Sequence, residues 1–362
     1  MRLLPASVAV TMCMFSPPDV NAFKLDPYSY HDKETGIFQD SFAGGRIGTQ
    51  PIHENLTIKA IATSRIPATY INGEFLVNVI KGIRWNDDPF GLAKGRQAAF
   101  YFSYTDSCSN PEVIDPDWDL LYRTHCGDMQ FLHSMASSAA EPSIDTQKKI
   151  LMWLEFTFKV ATGEIDKDTH FRSLDTFLEE GSAEEFRRTM TNNGKTRMMW
   201  QPEWLFTLDC DRWFTWRGLF FRGHLTELTC KDLNNKFSEQ TIQDIALGSL
   251  LHVLQDSFSG SHVLREGSPS LGKSRLSGMG KIIQFGNYFL QDQTRHGMAD
   301  SYIDEKSGDY DFDLTAISAK VIELAIGQRL DKRERWSEAK TLFKEVFRVL
   351  YPTKPSGELG YQ

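Results

Sequence analysis

The densest group of chemically active side chains lies between residues 246 and 266, in the segment ALGSLLHVLQDSFSGSHVLRE. His252 and Asp256 are four residues apart, so on a helix both side chains project from the same face. Leucine and valine residues surround the pair, which predicts that this face is buried. A buried imidazole and a buried carboxylate need each other or a metal ion as partner. His262 follows beyond Gly260, which can end the helix and turn the chain back.

Histidine and aspartate side chains recur elsewhere in the chain. His296 and Asp300 repeat the four-residue spacing and again present a nitrogen and an oxygen together. The other candidates lie on separate segments, at His53, Asp87, Asp88, His125, Asp128 and His133. Imidazole nitrogen and carboxylate oxygen are good ligands for Zn²⁺. Each group alone is more typical of a local ion pair or helix cap, whereas their combination in one chain favours a metal site.

The elements that position these side chains are predicted to be mainly helices, because convincing period-two strands are nearly absent. The clearest helix begins at Ser143, carries one apolar stripe and ends at Thr162-Gly163. Other helices are predicted from His53 onward and over 72–81 with Asn72 as N-cap, 183–192, 240–258, 280–296 extending past 300, and 314–351 with an interruption. Residues 90–122 are predicted to be rich in loops. No repeat or linker divides the chain, so we expect one mainly helical, all-α domain.

Length and composition narrow the classes of function. The chain has 362 residues, 41% of them hydrophobic, with 25 Phe, 8 Trp and 11 Tyr, which excludes a disordered chain. Forty basic and 48 acidic side chains leave a formal charge of −8, which disfavours a nucleic-acid scaffold. No run reaches the roughly 18 to 20 apolar residues that cross a bilayer, so we expect no transmembrane segment.

The first residues are typical of a secretory signal peptide. A short apolar stretch, Leu3 to Phe15, precedes Val20-Asn21-Ala22, where small residues suit signal peptidase. Cleavage there removes residues 1–22 and makes Phe23 the first residue of a domain spanning 23–362. The alternative, a buried N-terminal helix, is disfavoured by three prolines in this stretch. We therefore expect a secreted or periplasmic protein.

The cysteines fit export. Cys13 lies in the removed segment, which leaves Cys108, Cys126, Cys210 and Cys230, an even number with three possible pairings. Proximity in the chain favours Cys108–Cys126 and Cys210–Cys230. Cys126 adjoins His125 and is also a candidate zinc thiolate, although an exported protein favours the disulfide.

The order of these motifs resembles the zinc-dependent phospholipase C family, whose fold is shared with the single-strand-specific zinc nucleases. The most specific stretch is the pattern His-x₃-Asp-x₅-His, formed here by His252, Asp256 and His262. The resemblance extends from Phe23 to about Asp300. It implies a helical domain whose cleft holds three zinc ions, one of them bound by the amine and carbonyl oxygen of the mature N-terminal residue.

The resemblance assigns three sets of ligands. The first zinc would take Asp87 or Asp88, His125, His252 and Asp256. The second would take the Phe23 amine and carbonyl, His53 and the bridging Asp256. The third would take His262, His296 and Asp300.

Two departures from the family leave alternatives open. The interval from Asp87 to His125 is longer than in the simpler members, so His133 is an alternative to His125. Asp300 stands where glutamate is common, and its shorter side chain would shift that zinc slightly. The segment after Asp300 matches nothing in the family, and we expect residues beyond about 305 to form a helical extension.

A phosphodiesterase needs a strong nucleophile at neutral pH and a stabilised leaving oxygen. Zinc lowers the pKa of bound water to about 7, and zinc ions about 3.5–4 Å apart bind both the attacking and the leaving oxygen. Asp87 or Asp88 would orient the attacking water and accept its proton. A structural zinc is usually closed by four ligands, often cysteines, whereas a His/Asp set with only three side chains leaves a position for water or substrate.

Residues 200–221 hold a dense run of aromatic side chains, which is more typical of a core but can form a lipid-contacting surface. The run comprises Trp200, Trp204, Phe206, Trp213, Phe214, Trp216, Phe220 and Phe221. Aromatic groups suit a cationic choline headgroup, whereas a nuclease also needs a positive groove, which the acidic balance does not favour. The sequence predicts a phospholipase C that cleaves phosphatidylcholine-type lipids of a membrane surface to diacylglycerol and a phosphorylated headgroup, with no stable nucleic-acid partner. The alternatives are a single-strand nuclease of the same fold and a non-catalytic exported binding protein.

Overall fold

The computed structural model describes residues 52–67, 70, 73–87, 120–190, 200–207, 237–266, 280–292, 296, 314–327 and 332–359. Over these residues 63% are helical, and the only sheet there has two strands, which confirms the expectation of a mainly helical protein. None of the described helices has both the length and the apolar character needed to cross a membrane. The predicted signal peptide, Phe23, Asp88 and Asp300 lie outside the described residues.

The helices described are α1 (Ile52–Thr63), α2 (Glu74–Trp85), α3 (Leu120–His125), α4 (Ser143–Ala161), α5 (Glu180–Met190), α6 (Pro202–Thr207), α7 (Glu239–Asp256), α8 (Leu314–Ile326) and α9 (Lys332–Val346). Short 3₁₀ turns cover Gln130–His133, Phe171–Thr176 and Tyr288–Leu290. Two strands, β1 (Val263–Arg265) and β2 (Ile282–Phe285), form an antiparallel pair.

Helix α7 lies in the centre of the core and carries much of the predicted chemistry. Ser238 caps its N-terminus, where its hydroxyl accepts a hydrogen bond from the Thr241 amide at 3.0 Å. All residues from Asp244 to Asp256 are buried, so the helix is enclosed on every side. Its polar side chains must therefore find their partners on the neighbouring helices.

Helices α2 and α7 touch through their backbones. A Cβ added to Gly82 would lie 2.0 Å from the carbonyl oxygen of Ile245, and one added to Gly248 would lie 2.0 Å from that of Val79. Only glycine fits at both positions. This close contact brings the C-terminal end of α2, which leads into Asp87, beside the last turns of α7.

A chain of hydrogen bonds links the aromatic core to this crossing. The indole nitrogen of Trp153 on α4 donates to the Ser249 hydroxyl at 3.2 Å, and that hydroxyl donates to Asn86 Oδ1 at 2.6 Å. Asn86 in turn donates to the carbonyl of Leu132 at 2.8 Å. The buried Asn86 thus fixes the segment before Asp87 against both α7 and the 130–133 turn.

The helix predicted over 280–296 is wrong. Residues 280–292 form β2 and the 288–290 turn instead, because β2 pairs with segments distant in the chain. His296 is helical, and residues 293–295 and the predicted extension past 300 lie outside the described residues. On one side it pairs with β1, with Val263 opposite Phe285. On the other side the Ile282 amide donates to the carbonyl of Arg348 at 2.8 Å, and the Leu350 amide donates to the carbonyl of Ile282 at 2.7 Å.

Three predicted helix boundaries also need correction. Helix α2 ends at Trp85 instead of residue 81, and its N-cap residue is Gly73, whose φ is +93°; the predicted N-cap, Asn72, lies outside the described residues. Helix α5 begins at Glu180, three residues before the predicted start, and α7 ends at Asp256 instead of 258. The longer α2 matters for the site, because it places Asp87 directly beyond the last helical turn. The interruption predicted within 314–351 is confirmed as the break between α8 and α9.

The C-terminal segment, residues 347–359, forms hydrogen bonds both to strand β2 and to the start of α4. The amides of Ser143 and Ile144 donate to the carbonyls of Lys354 and Pro352, each at 2.9 Å. The Gly357 amide donates to the carbonyl of Phe285 at 3.1 Å. The end of the chain therefore supports β2 and, through it, the 288–290 turn.

Candidate metal centre

Asp256 lies at the centre of a cluster of imidazoles. His252 precedes it on α7, His53 belongs to α1, His133 ends the 130–133 turn, and His262 lies in the turn before β1. The nitrogen-to-carboxylate distances are 2.9 Å for His252, 3.2 Å for His53, 3.2 Å for His133 and 3.5 Å for His262. Each of the five residues is at most 4% exposed. One carboxylate thus has four imidazole neighbours from four separate elements.

Four of the candidate ligand atoms lie close enough together to surround one metal ion. We call Asp87, His133, His252 and Asp256 the first group. His252 Nε2 lies 3.2 Å from His133 Nδ1 and 3.7 Å from Asp87 Oδ1, and His133 Nδ1 lies 3.8 Å from Asp87 Oδ1. With the two contacts to Asp256, these distances span 2.9–3.8 Å. A tetrahedron with zinc–ligand bonds of about 2.0–2.1 Å has edges of about 3.3–3.4 Å.

His125 and His133 occupy different places. His133 contacts Asp256 and His252, whereas the Nδ1 atom of His125 lies 2.8 Å from the Thr124 hydroxyl. The two imidazole rings are 4.8 Å apart. The ligand atoms of Asp87, His125 and His133 all lie within 4.8 Å of one another, as do those of His53, His252 and Asp256. His133 therefore fits the first group by geometry, and His125 lies beside it.

His262 and His296 form a second group. Their rings stack with centroids 4.9 Å apart and planes inclined by 28°. Their predicted third partner, Asp300, lies outside the described residues. The structure thus brings together the two histidines that the resemblance assigned to one zinc.

The Nδ1 nitrogen of each histidine in this second group contacts a carbonyl oxygen. His262 Nδ1 donates to the backbone carbonyl of His133 at 2.6 Å. His296 Nδ1 donates to the side-chain carbonyl of Gln291, whose NH₂ group donates to the backbone carbonyl of Ser261 at 2.7 Å. A carbonyl only accepts, so Nδ1 carries the proton and the lone pair of a neutral ring lies on Nε2. Metal-binding histidines are oriented in this way.

His53 is held in the same manner. Its Nδ1 donates to the side-chain carbonyl of Gln255 at 2.8 Å, and the NH₂ group of Gln255 donates to the Thr57 hydroxyl at 2.9 Å. The other ring nitrogen, Nε2, points to Asp256 at 3.2 Å. Gln255 directly precedes Asp256, so one turn of α7 supplies both the carboxylate and the group that orients its partner.

The electrostatics favour a charged Asp256 and a neutral His133. Burial alone would raise the pKa of Asp256, but its electrostatic interactions with His252 and His262 and its hydrogen bonds with His133 and His252 hold that pKa well below its usual value. Burial lowers the pKa of His133 well below the ordinary histidine value. An ionised carboxylate and an unprotonated imidazole are the states that bind a metal ion.

Two further groups of the site, His53 and Asp87, have pKa values above their ordinary values. Burial opposes protonation of His53, yet its hydrogen bond and charge interaction with Asp256 raise its pKa to about 9. Burial raises the pKa of Asp87 to about 7. Asp87 Oδ1 is buried and accepts no hydrogen bond from any residue that the structure describes. Burying a carboxylate oxygen in this way is costly, and a bound cation would relieve that cost.

Several residues that shape the site were not found from the sequence. These residues contact the candidate ligands or the segments that carry the ligands, and none belongs to a recognisable metal-binding motif. They are Asn86, Gln255, Gln291 and Tyr288. Asn86 and Gln255 adjoin predicted ligands, which is the only signal that the sequence offers for them. Gln291 and Tyr288 lie in the region wrongly predicted as helix, so their placement depended on the strand pairing.

Cys126, next to His125, is disulfide-bonded and is therefore not a zinc thiolate. Its partner lies outside the described residues, and the pairing with Cys108 stays a prediction.

The described part of the aromatic run belongs to the core: Trp204 and Phe206 are buried, and Phe206 packs against Trp85 with ring centroids 5.2 Å apart.

Comparisons of the chain with protein-family models, with curated proteins and with solved structures found no match.

Proposed function

We propose that this protein is a zinc-dependent phosphodiesterase with the fold of the phospholipase C and zinc nuclease family. The observation that carries the proposal is the first group, in which four ligand atoms from three parts of the chain meet at 2.9–3.8 Å. Six of the nine histidines of the chain belong to this region. Burying this many imidazoles around two carboxylates is costly unless the groups bind a metal ion, so the arrangement is not typical of an ordinary core.

The residues would divide the work as follows. Asp87, His133, His252 and Asp256 would hold one zinc ion. A second would take His53, the shared Asp256 and, as the resemblance implies, the amine and carbonyl oxygen of Phe23. His262, His296 and Asp300 would hold another. Zinc, when bound, would supply an acidified water and neutralise the phosphate oxygens.

Proton transfer would fall to the carboxylate at the end of α2. Asp87 or its neighbour Asp88 would accept the proton of the attacking water. Asn86 fixes this end of α2 through its hydrogen bonds to the 130–133 turn and α7, so the carboxylate is held in place before substrate arrives.

A phospholipid is the substrate class that we favour. The formal charge of −8 gives no general attraction for nucleic acid. Phe289 is 53% exposed and directly follows Tyr288, which packs among the metal-site histidines, so an apolar group reaches the surface beside the centre. A single-strand nuclease of the same fold is the alternative, since an exposed aromatic ring can also stack on a base.

The features that predict export fit this assignment. The disulfide at Cys126 is typical of an oxidising compartment, and the first 22 residues have the composition of a signal peptide. A lipid-cleaving enzyme that is active only after secretion or transfer to the periplasm would spare the membranes of the cell that makes it.

Hydrolysis assays on the mature chain test the proposed activity. Phosphatidylcholine vesicles and single-stranded nucleic acid are offered in parallel, with zinc, with a chelator, and with zinc restored after chelation. We expect release of phosphorylated headgroup that the chelator abolishes and zinc restores. Faster cleavage of the nucleic acid would overturn the choice of substrate, and cleavage of neither would refute the phosphodiesterase.

A further inference from the structure

Tyr288 lies between the two groups of candidate ligands. It is 3% exposed, and its ring centroid lies 4.8 Å from that of His296 and 6.0 Å from that of His262, the members of the second group. It also lies 5.8 Å from the rings of His133, in the first group, and His125. One phenol ring therefore packs against four imidazoles that come from three separate parts of the chain.

The backbone that carries Tyr288 is fixed against the 130–133 turn. The Tyr288 amide donates to the side-chain carbonyl of Gln130 at 3.1 Å. The Asn287 side chain donates to the carbonyl of Ala136 at 2.8 Å, and the Ala136 amide donates to the carbonyl of Gly286 at 2.8 Å. These contacts tie the tyrosine to the segment that presents His133.

The same turn is fixed to the second group on its other side. Gln291 links the carbonyl of Ser261, next to His262, to the ring of His296. Tyr288 thus belongs to a rigid turn anchored at both groups, and its ring fills the space between them. It lies edge-on to His133 at 77° and to His262 at 73°.

We propose that Tyr288 is a positioning residue whose ring sets the distance and orientation of the second group relative to the first. The proposal rests on the proposed function, because the groups must bind metal for their separation to matter. Zinc ligands must be placed to within about 0.2 Å. Without the ring, the imidazoles of His262 and His296 would lose a wall of their site and tilt into the empty space.

Four variants of the full mature chain separate the ring from the hydroxyl and from general effects. Tyr288→Phe keeps the ring and Tyr288→Leu removes it. Tyr351, which is 52% exposed, provides the same two changes as controls in Tyr351→Phe and Tyr351→Leu. The measurements are zinc per chain, zinc affinity by competition with a chelator, and the visible spectrum of the Co²⁺-loaded protein.

We expect Tyr288→Leu to weaken one zinc by about 10- to 100-fold, the range for residues that orient ligands, while the zinc of the first group keeps its affinity. The Co²⁺ spectrum should change only in the part contributed by the weakened site. Tyr288→Phe and both Tyr351 variants should match the wild type in every measurement.

Two results would overturn the proposal. Wild-type zinc affinity in Tyr288→Leu would show that the ring is not needed, and weakened zinc in Tyr288→Phe would show that the hydroxyl is responsible instead. The phenylalanine variant can therefore refute the proposal even if the leucine variant fails to fold. A wild-type chain without zinc would instead refute the proposed function, so the two failures are distinguishable.

Discussion

Asp256 shows how strongly single residues determine this site. Its two oxygen atoms face His53 on one side and His133 and His252 on the other, at 2.9–3.2 Å. This arrangement suits a carboxylate shared between two cations, because each oxygen has its own set of neighbours. On this geometry we propose His133, rather than His125, as the ligand of the first group, although the ligand atoms of Asp87, His125 and His133 all lie within 4.8 Å of one another.

At the residue scale we predict different outcomes for two neighbouring histidines. His133→Ala should remove zinc from the first group and abolish hydrolysis, because His133 Nδ1 lies 3.2 Å from both Asp256 and His252. His125→Ala should keep that zinc with at most a modest loss of affinity, since its ring contacts His133 rather than Asp256. Elemental analysis of both variants decides between them. Zinc loss in His125→Ala with full zinc in His133→Ala would reverse the assignment.

At the scale of elements, the α2–α7 contact positions the site. The two backbones touch at Gly82 and Gly248, and the candidate ligands lie at or just beyond the C-terminal ends of both helices. A shift of either helix would therefore move Asp87 relative to His252.

We predict that Gly248→Ala lowers the free energy of unfolding by roughly 3 kcal/mol, because its methyl group would overlap the carbonyl oxygen of Val79. Gly181→Ala on α5 is the matched control. Nothing lies within 4 Å of a Cβ at Gly181, so that change should stabilise by about 0.4–1 kcal/mol. Urea unfolding of the zinc-free proteins measures both values. Equal stability of the two variants would show that the helices do not touch as described.

The same pair of helices carries a pH-dependent group far along α7 from the ligands. Burial raises the pKa of Asp244 from 3.8 to about 7, against the hydrogen bonds from Gln240 and Asn78, and Glu74 adds a like charge. Because the folded protein holds this proton more tightly than the unfolded chain, Asp244 makes the free energy of unfolding fall as pH rises from about 4 to 7.

We predict that Asp244→Asn removes that loss. The difference in unfolding free energy between variant and wild type should be near zero at pH 4 and should reach roughly 2–4 kcal/mol in favour of the variant at pH 8. Urea unfolding of both zinc-free proteins across this range gives the difference directly. A difference that does not change with pH would mean that Asp244 is not protonated in the folded protein at neutral pH.

For the molecule as a whole, the sequence predicted those features that depend only on residues near one another in the chain. The apolar run around His252 fixes α7, and the helical repeat then places Asp256 on the same face without any information from the rest of the chain. The break between α8 and α9 was also readable from the sequence.

The features that the sequence did not predict depend on contacts between residues far apart in the chain. His133 reaches Asp256 across 123 residues of sequence, and no local spacing records that contact. Strand β2 forms because residues 348–350 and β1 pair with it, so its β-branched residues are used in a sheet instead of the predicted helix. Tyr288 and Gln291 follow from that strand and could not be placed without it.

The decisive measurement is the zinc content of a chain that begins at Phe23, the proposed first residue of the mature protein. We predict close to three zinc ions per wild-type chain by elemental analysis. Asp256→Asn should lose the ions that share this carboxylate, whereas Asp244→Asn, the same change at another buried position of α7, should retain all of them. A wild-type protein with almost no zinc, or an Asp256→Asn variant with the full amount, would contradict the account.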